Sequence, residues 1–338
     1  MVARQSVPVI GACSSSQSGT TSGGDSSTPG PGQWQLSIGY RSQRSARHFV
    51  GTVEQKQRQE LGTAIVNNIH LFDVALSYTV TPRITLAVGV PIMYAKRKRP
   101  GALDLPRVQN SPDQIFHSVG IGDMSVGARM WLIRPPSESR QNIAFGVSFK
   151  LPTGKPDVTD TVMTANGPVT QVVDQSIQLG DGGTGVAFDV QAYKAVKFVT
   201  FFGAGTYLLN PRNTNGVKTG RGRASEAIMS VPDQYVARLG AAVPAPKIRG
   251  LSMSVAGRIE GVPVRDLIGK SEGFRRPGYA ISVEPGLLYT RGRDTWSVSL
   301  PVAVERNRRR SVSDIADGRS GDAAFADTLL IIGYSRRF

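Results

Sequence analysis

From Gln33 onward the chain alternates apolar and polar residues with a period of two. Trp34, Leu36, Ile38 and Tyr40 fall on one face of an extended segment; Gln35, Ser37, Gly39 and Arg41 fall on the other, because successive strand side chains point to opposite faces. The pattern recurs. Phe72, Val74, Leu76, Tyr78 and Val80 alternate with Asp73, Ala75, Ser77 and Thr79. Ile84, Leu86, Val88 and Val90 alternate with Thr85, Ala87 and Gly89. Met124, Val126, Ala128 and Met130 oppose Asp123, Ser125, Gly127 and Arg129, and Ile143, Phe145, Val147 and Phe149 oppose Ala144, Gly146, Ser148 and Lys150. Later segments put Asp189, Arg238, Arg258, Glu260 and Glu284 opposite apolar neighbours, and the last runs from Thr328 to Phe338. The stretch from Lys197 to Asn210 is strand-like, with no clear phase.

The connections sort by length. Long ones fall near 42–68, 96–120, 153–182, 211–232, 263–277 and 305–324, and short ones fall between them. Strict alternation of long and short is the layout of a transmembrane barrel, with long extracellular loops, short periplasmic turns and both termini on the short-turn side. A soluble sandwich has no reason to sort its loops by parity. Strands heading for the long loops tend to end at proline, as at Pro91, Pro152, Pro211, Pro263 and Pro301; a residue without an N–H is best tolerated where a strand leaves the sheet. The pattern predicts an all-β fold: a transmembrane antiparallel up-and-down β-barrel of about 12 strands, spanning 33–338. In hydrocarbon every backbone polar group must be paired internally, so such a sheet has to close.

Composition changes this picture little. Hydrophobic residues make up 40% and charged residues 19%, and the mean hydropathy is -0.16. That average suits a barrel, whose lipid-facing and lumen-facing residues cancel in any window. A formal charge of +15 raises the question of nucleic acid. Its densest clusters, Lys96 to Arg99 and Arg306 with Arg308 to Arg310, lie at the roots of long loops and on no basic helix, so no nucleic-acid partner is expected. The single cysteine, Cys13, rules out an internal disulfide. Residues 1–32 read as the remnant of a signal or a flexible Ser/Gly-rich lead-in; Ile10 to Cys13 also fits a loose lipoprotein box, against which stands a plain free cysteine.

Twelve strands lie between the eight whose side chains fill a barrel and the sixteen or more that leave an open channel. The candidate lumen-lining residues are Arg41, Asp73, Asp123, Arg129, Lys150, Asp189, Arg238, Arg258, Glu260 and Glu284. They imply a narrow, hydrated, partly crosslinked interior, although each has the alternative of merely satisfying a neighbour's charge. At the C-terminus, Tyr334 and Phe338 resemble the closing signal read by the barrel assembly machinery; Arg336 departs from it, since an apolar residue is usual there.

The run Gly120 to Arg129 (GIGDMSVGAR), the strand end Lys150 to Lys155 (KLPTGK) and Gln178 to Gly185 (QLGDGGTG) resemble the outer-membrane proteins of the "MetA-pathway of phenol degradation" family. The resemblance implies a Gram-negative outer-membrane barrel associated with uptake of small, hydrophobic or aromatic compounds. It carries over no catalytic residues and no cofactor. The expected function is passive transport. The alternative is a structural or adhesive barrel whose basic loops bind lipopolysaccharide. An enzyme is not expected: His48, His70 and His117 are scattered, Ser118 beside His117 would point to the opposite face, and no nucleophile elbow appears.

Overall fold

The computed structural model describes residues 31–101, 112–133 and 135–338; Cys13 and all of the lead-in up to residue 30 lie outside them. Twelve antiparallel strands form one closed sheet. They are β1 (Trp34–Val50), β2 (Val66–Thr81), β3 (Ile84–Arg99), β4 (in two segments, Gln114–Ile121 and Ser125–Trp131), β5 (Gln141–Lys150) and β6 (Gly185–Val196). The rest are β7 (Val199–Leu209), β8 (Gln234–Pro244), β9 (Leu251–Val262), β10 (Gly278–Arg291), β11 (Asp294–Ser299 and Val302–Arg308) and β12 (Ala323–Arg337). Each strand pairs with the next, and β12 returns to β1 in register from Gln35 opposite Arg337 to Phe49 opposite Ala323. No edge is left for hydrocarbon to meet. Among the described residues no helix is long and apolar enough to cross a membrane.

The outer face is apolar. Phe72, Leu76, Val88, Phe145, Phe149 and Leu287 are among many large side chains exposed on it, a surface that needs a hydrocarbon solvent. Aromatic pairs mark its short-turn end: Trp34 with Tyr78 at 4.7 Å, and Trp296 with Tyr289 and Tyr334, each at 5.7 Å between centroids. Such rings suit the boundary where apolar tails meet headgroups. The undecided segment takes its phase from its neighbours. Phe202 lies near Arg238 inside the barrel, at 5.4 Å, and Phe201, one residue away, is exposed.

Strand ends depart from expectation. β1, β2 and β3 run for 17, 16 and 16 residues, longer than the nine to eleven or so a tilted strand needs to cross a bilayer. Pairing therefore continues past the apolar band, and Lys96 to Arg99 end β3 rather than opening a loop. Two prolines also lie elsewhere than at strand ends. Pro91 is within β3, and Pro301 separates the segments of β11. Opposite Pro91, β4 breaks at 122–124, with the Gly122 N–H donating to the Pro91 carbonyl at 2.8 Å. Opposite Pro285 and Pro301 the ladder is likewise interrupted, bridged by Leu300 N–H to the Pro285 carbonyl at 3.0 Å. A missing N–H removes a ladder bond, and the neighbouring strand answers with a local irregularity.

The third long loop folds inward. Its Val162, Val173 and Ile177 pack on Ile69, Leu71, Met93, Ala95 and Phe116. Those five are inward, unusually apolar side chains of β2, β3 and β4 towards their long-loop ends. The loop thereby fills part of the long-loop half of the lumen.

Candidate functional site

The three strings carrying the family resemblance meet at the root of this inward loop. Asp123, in the break of β4, accepts the N–H of Gly154 at 2.9 Å and of Asp181 at 3.2 Å. Lys150 donates to both carboxylate oxygens of Asp181, at 2.6 and 2.5 Å, and lies 4.0 Å from Asp123. Thr153 Oγ1 accepts from the Met124 N–H and donates to the Gly122 carbonyl, each at 2.8 Å. A Cβ on Gly180 would stand 2.5 Å from Asp123 Oδ1, so the close approach requires glycine. Asp123 and Lys150, expected among the lumen-lining charges, are placed here as a buried clamp that holds the loop.

Six of the other eight candidates, Arg41, Asp73, Arg238, Arg258, Glu260 and Glu284, form a belt across the barrel, and Arg129 and Asp189 form a pair on the wall. Arg258 donates to Glu260 at 2.7 Å and to Glu284 at 3.4 Å. Arg238 reaches Glu284 at 3.1 Å from β8. Arg41 reaches Glu260 at 3.5 Å from β1, and β1 and β9 are not neighbours, so this contact bridges the lumen. Asp73 lies on the same face of the wall, opposite Gly39 in register. Arg129 pairs with Asp189 at 2.5 Å, directly over Gly146, where a Cβ would meet the Asp189 carboxylate at 1.7 Å. The belt holds Arg41, Arg238 and Arg258 against Asp73, Glu260 and Glu284, and its formal charges cancel, as do those of the Arg129–Asp189 pair. Glu260 is 2% exposed. A buried carboxylate without partners would be very costly, and the Arg41 and Arg258 guanidiniums supply this one with counter-charges.

On the long-loop side of the belt is a cavity of about 800 Å³. Sequence reasoning did not assemble it. Seven arginines line it (Arg58, Arg97, Arg221, Arg223, Arg276, Arg308 and Arg319), with three carboxylates (Asp181, Glu226 and Asp322) and several amides and hydroxyls. Arg97, read from the sequence as part of a loop-root cluster, continues the inward parity of Ala87, Gly89 and Ala95 along β3. Extending the alternation further along the chain was the signal that could have found it. The residues from the loops carry no such signal.

Just outside the lining, Asp174 caps the short turn Gln175–Ile177 by accepting from Ser176 N–H. Burial alone would raise its pKa, but Arg276, Arg97 and Arg221 around it hold it well below the usual carboxylate range. Across the cavity Asp322 meets His48 Nδ1 at 2.9 Å and Arg58 at 3.1 Å. Burial there too works against the charged form, yet the His48 hydrogen bond and the charges of His48 and Arg58 bring its pKa down to about 2. This contact ties the first long loop to the last. The other two histidines are apart from it: His70 Nδ1 bonds Tyr40 on the outer wall at 2.7 Å, and His117 lies 3.5 Å from Asp160. Tyr334 donates to Asp294 at 2.7 Å, and the Phe338 N–H donates to the Trp34 carbonyl at 2.9 Å, at the seam of the barrel.

No family model and no curated protein matches the chain. Among solved structures it is similar to the COG4313 outer membrane channel from Pseudomonas putida F1, with a TM-score of 0.60 and 13% identity over 94% of this chain and 100% of that one. More distant likenesses include the translocator domain of the autotransporter NalP from Neisseria meningitidis (TM-score 0.45, 12% identity, 92% of this chain and 90% of that one). Another is the CymD monoaromatic hydrocarbon channel (TM-score 0.44, 10% identity, 92% and 89%). At such identities the likeness is one of fold. The family resemblance stands in its coarser form, a barrel of the kind that outer-membrane channels have.

Proposed function

We propose that the chain is a passive channel for small molecules in a Gram-negative outer membrane. The observation that carries this reading is the interior. A barrel needed only as a structural plug could fill its lumen with apolar side chains, whereas this one holds a belt of charges beneath an arginine-rich cavity of about 800 Å³. Charged and hydrogen-bonding walls suit a hydrated path, and a constriction formed by side chains sets what passes. Residues 33–338 form the barrel and residues 1–32 a lead-in. The long loops are extracellular and both termini periplasmic, and Tyr334 with Phe338 is the signal read during assembly. Lipopolysaccharide surrounds the outer leaflet. The cargo is small and includes aromatic compounds, as the family resemblance implies.

The test is permeation into vesicles reconstituted with the full chain. Small aromatic and small polar solutes should enter faster than into protein-free vesicles, and large sugars should not. If no small solute of either kind gains in rate, the chain is a structural or adhesive barrel instead.

A further inference from the structure

Below the cavity the belt is charge-balanced, so it offers no preference for one sign of solute. The cavity does. Three guanidiniums converge on Asp174: Arg276 through two hydrogen bonds of 2.8 Å, Arg97 at 3.3 Å and Arg221 at 4.0 Å. Arg221 has a second acid, Glu226, at 3.5 Å, but Glu226 is shared with Arg319. Arg319 and Arg308 in turn share Asp314, at 3.3 and 2.8 Å. Arg319 also lies 3.8 Å from Asp317, so around this wall five arginines divide four carboxylates. Arg223, exposed on the same wall, has no charged partner among the described residues. Burial lowers the pKa of Arg221, and the adjacent charge of Arg276 lowers it further. An incoming anion would relieve that crowding.

The same wall has an aromatic character. The Arg221 guanidinium carbon stands 3.7 Å from the centroid of Phe274, and that of Arg276 stands 4.6 Å from it. Guanidinium planes stack on π faces as readily as they bind carboxylates. Ile65, Ile69, Val262 and Phe274 supply apolar lining to the same cavity, whose volume is that of an ordinary small-molecule site.

We infer that this cavity is a capture site for small aromatic carboxylates, with Arg221 and Arg223 taking the carboxylate and the apolar lining taking the ring. The inference deepens the channel reading and rests on it for its purpose: an anion concentrated at the mouth would enter the constriction more often. Binding itself can be measured without passage.

The experiment is calorimetric titration of the full-length protein in detergent with benzoate, benzamide, benzylamine and inorganic phosphate. Benzoate should bind about tenfold or more tightly than benzamide, its neutral isostere, and charge-assisted hydrogen bonds are the cause of that margin. Benzylamine should not bind, and phosphate should bind more weakly than benzoate. Arg221→Gln with Arg223→Gln should weaken benzoate about tenfold and leave benzamide unchanged. Arg223→Glu alone changes an exposed side chain, so it keeps the test open if the double variant does not fold, and it too should weaken benzoate. Equal binding of benzoate and benzamide, or no binding of benzoate up to about 10 mM, overturns the site. Loss of no affinity in the variants also overturns it. Phosphate binding as tightly as benzoate overturns the aromatic part. Benzoate binding by a protein that passes no solute in vesicles overturns the channel reading and leaves the site standing.

Discussion

Val147→Arg tests which face of the wall meets lipid. Val147 is the middle of five outward apolar side chains in chain order, Ile143, Phe145, Val147, Phe149 and Leu151, all exposed. It lies opposite Ala128 on one side and Phe188 on the other, and is itself 42% exposed. That places it near the bilayer midplane. An arginine there, unable to reach either interface cheaply, should cost roughly 2–4 kcal/mol, which is about 30- to 800-fold in the folding equilibrium. Val147→Leu keeps the surface apolar and should cost little. The comparison is Ser148→Arg, one residue on. Ser148 is buried on the inward face, opposite Gly127 and Ala187, one row along the strand from the Arg129–Asp189 pair. An added guanidinium there has water and the Asp189 carboxylate within reach. Its cost is that of crowding, about 1–3 kcal/mol at most. Reversible denaturant unfolding in lipid vesicles, with the gel shift between unboiled and boiled samples as a check on folding, measures all three. If Ser148→Arg proved the more costly of the two arginines, the assignment of faces in this wall would be wrong.

The remaining expectations concern assembly, selectivity and pH. Removing Phe338, which closes the seam on Trp34, should lower the yield of folded barrel far more than removing residues 1–32; equal yields would contradict the assembly role. Arg258→Ala leaves Glu260 and Glu284 each one guanidinium short, so single-channel reversal potentials should shift toward cations, and an unchanged potential would separate the belt from conduction. The Asp322 pKa is depressed in the folded state, so its tie to His48 and Arg58 contributes in full above the unfolded value near 4 and is lost as pH falls toward about 2. Protection against hydrogen exchange in residues 51–65, corrected for the intrinsic rate at each pH, should thus hold at pH 5 and fall steeply below pH 4 or so; unchanged protection down to about pH 2 would remove Asp322 from that role.

How much of this was readable in the chain depends on distance along it. Which side of the wall each residue faces is a local property, because lipid and water lie on opposite faces of a sheet one residue thick. Parity therefore sufficed to place Val147 outside and Ser148 inside, and the alternation of loop lengths sufficed for the strand count. It faltered at Val199–Leu209, where consecutive apolar residues and glycines leave both phases open. There the partners on β6 and β8 decide.

Which inward charges meet is not local. Arg41 and Glu260 are joined across the lumen by the stagger and diameter of the closed sheet, quantities that no single strand contains. Asp123 and Lys150 carried the right parity yet serve the loop root, because the break opposite Pro91 turns the chain there. The arginine-lined cavity is further still from the sequence. Arg97 comes from a strand end, Asp174 from the third long loop, Arg221 from the fourth and Arg276 from the fifth, and only the inward folding of those loops brings them together. Parity along a strand set the faces of this barrel; packing between segments far apart in the chain set its chemistry, because charges separated by many residues can be neighbours only once the sheet has closed.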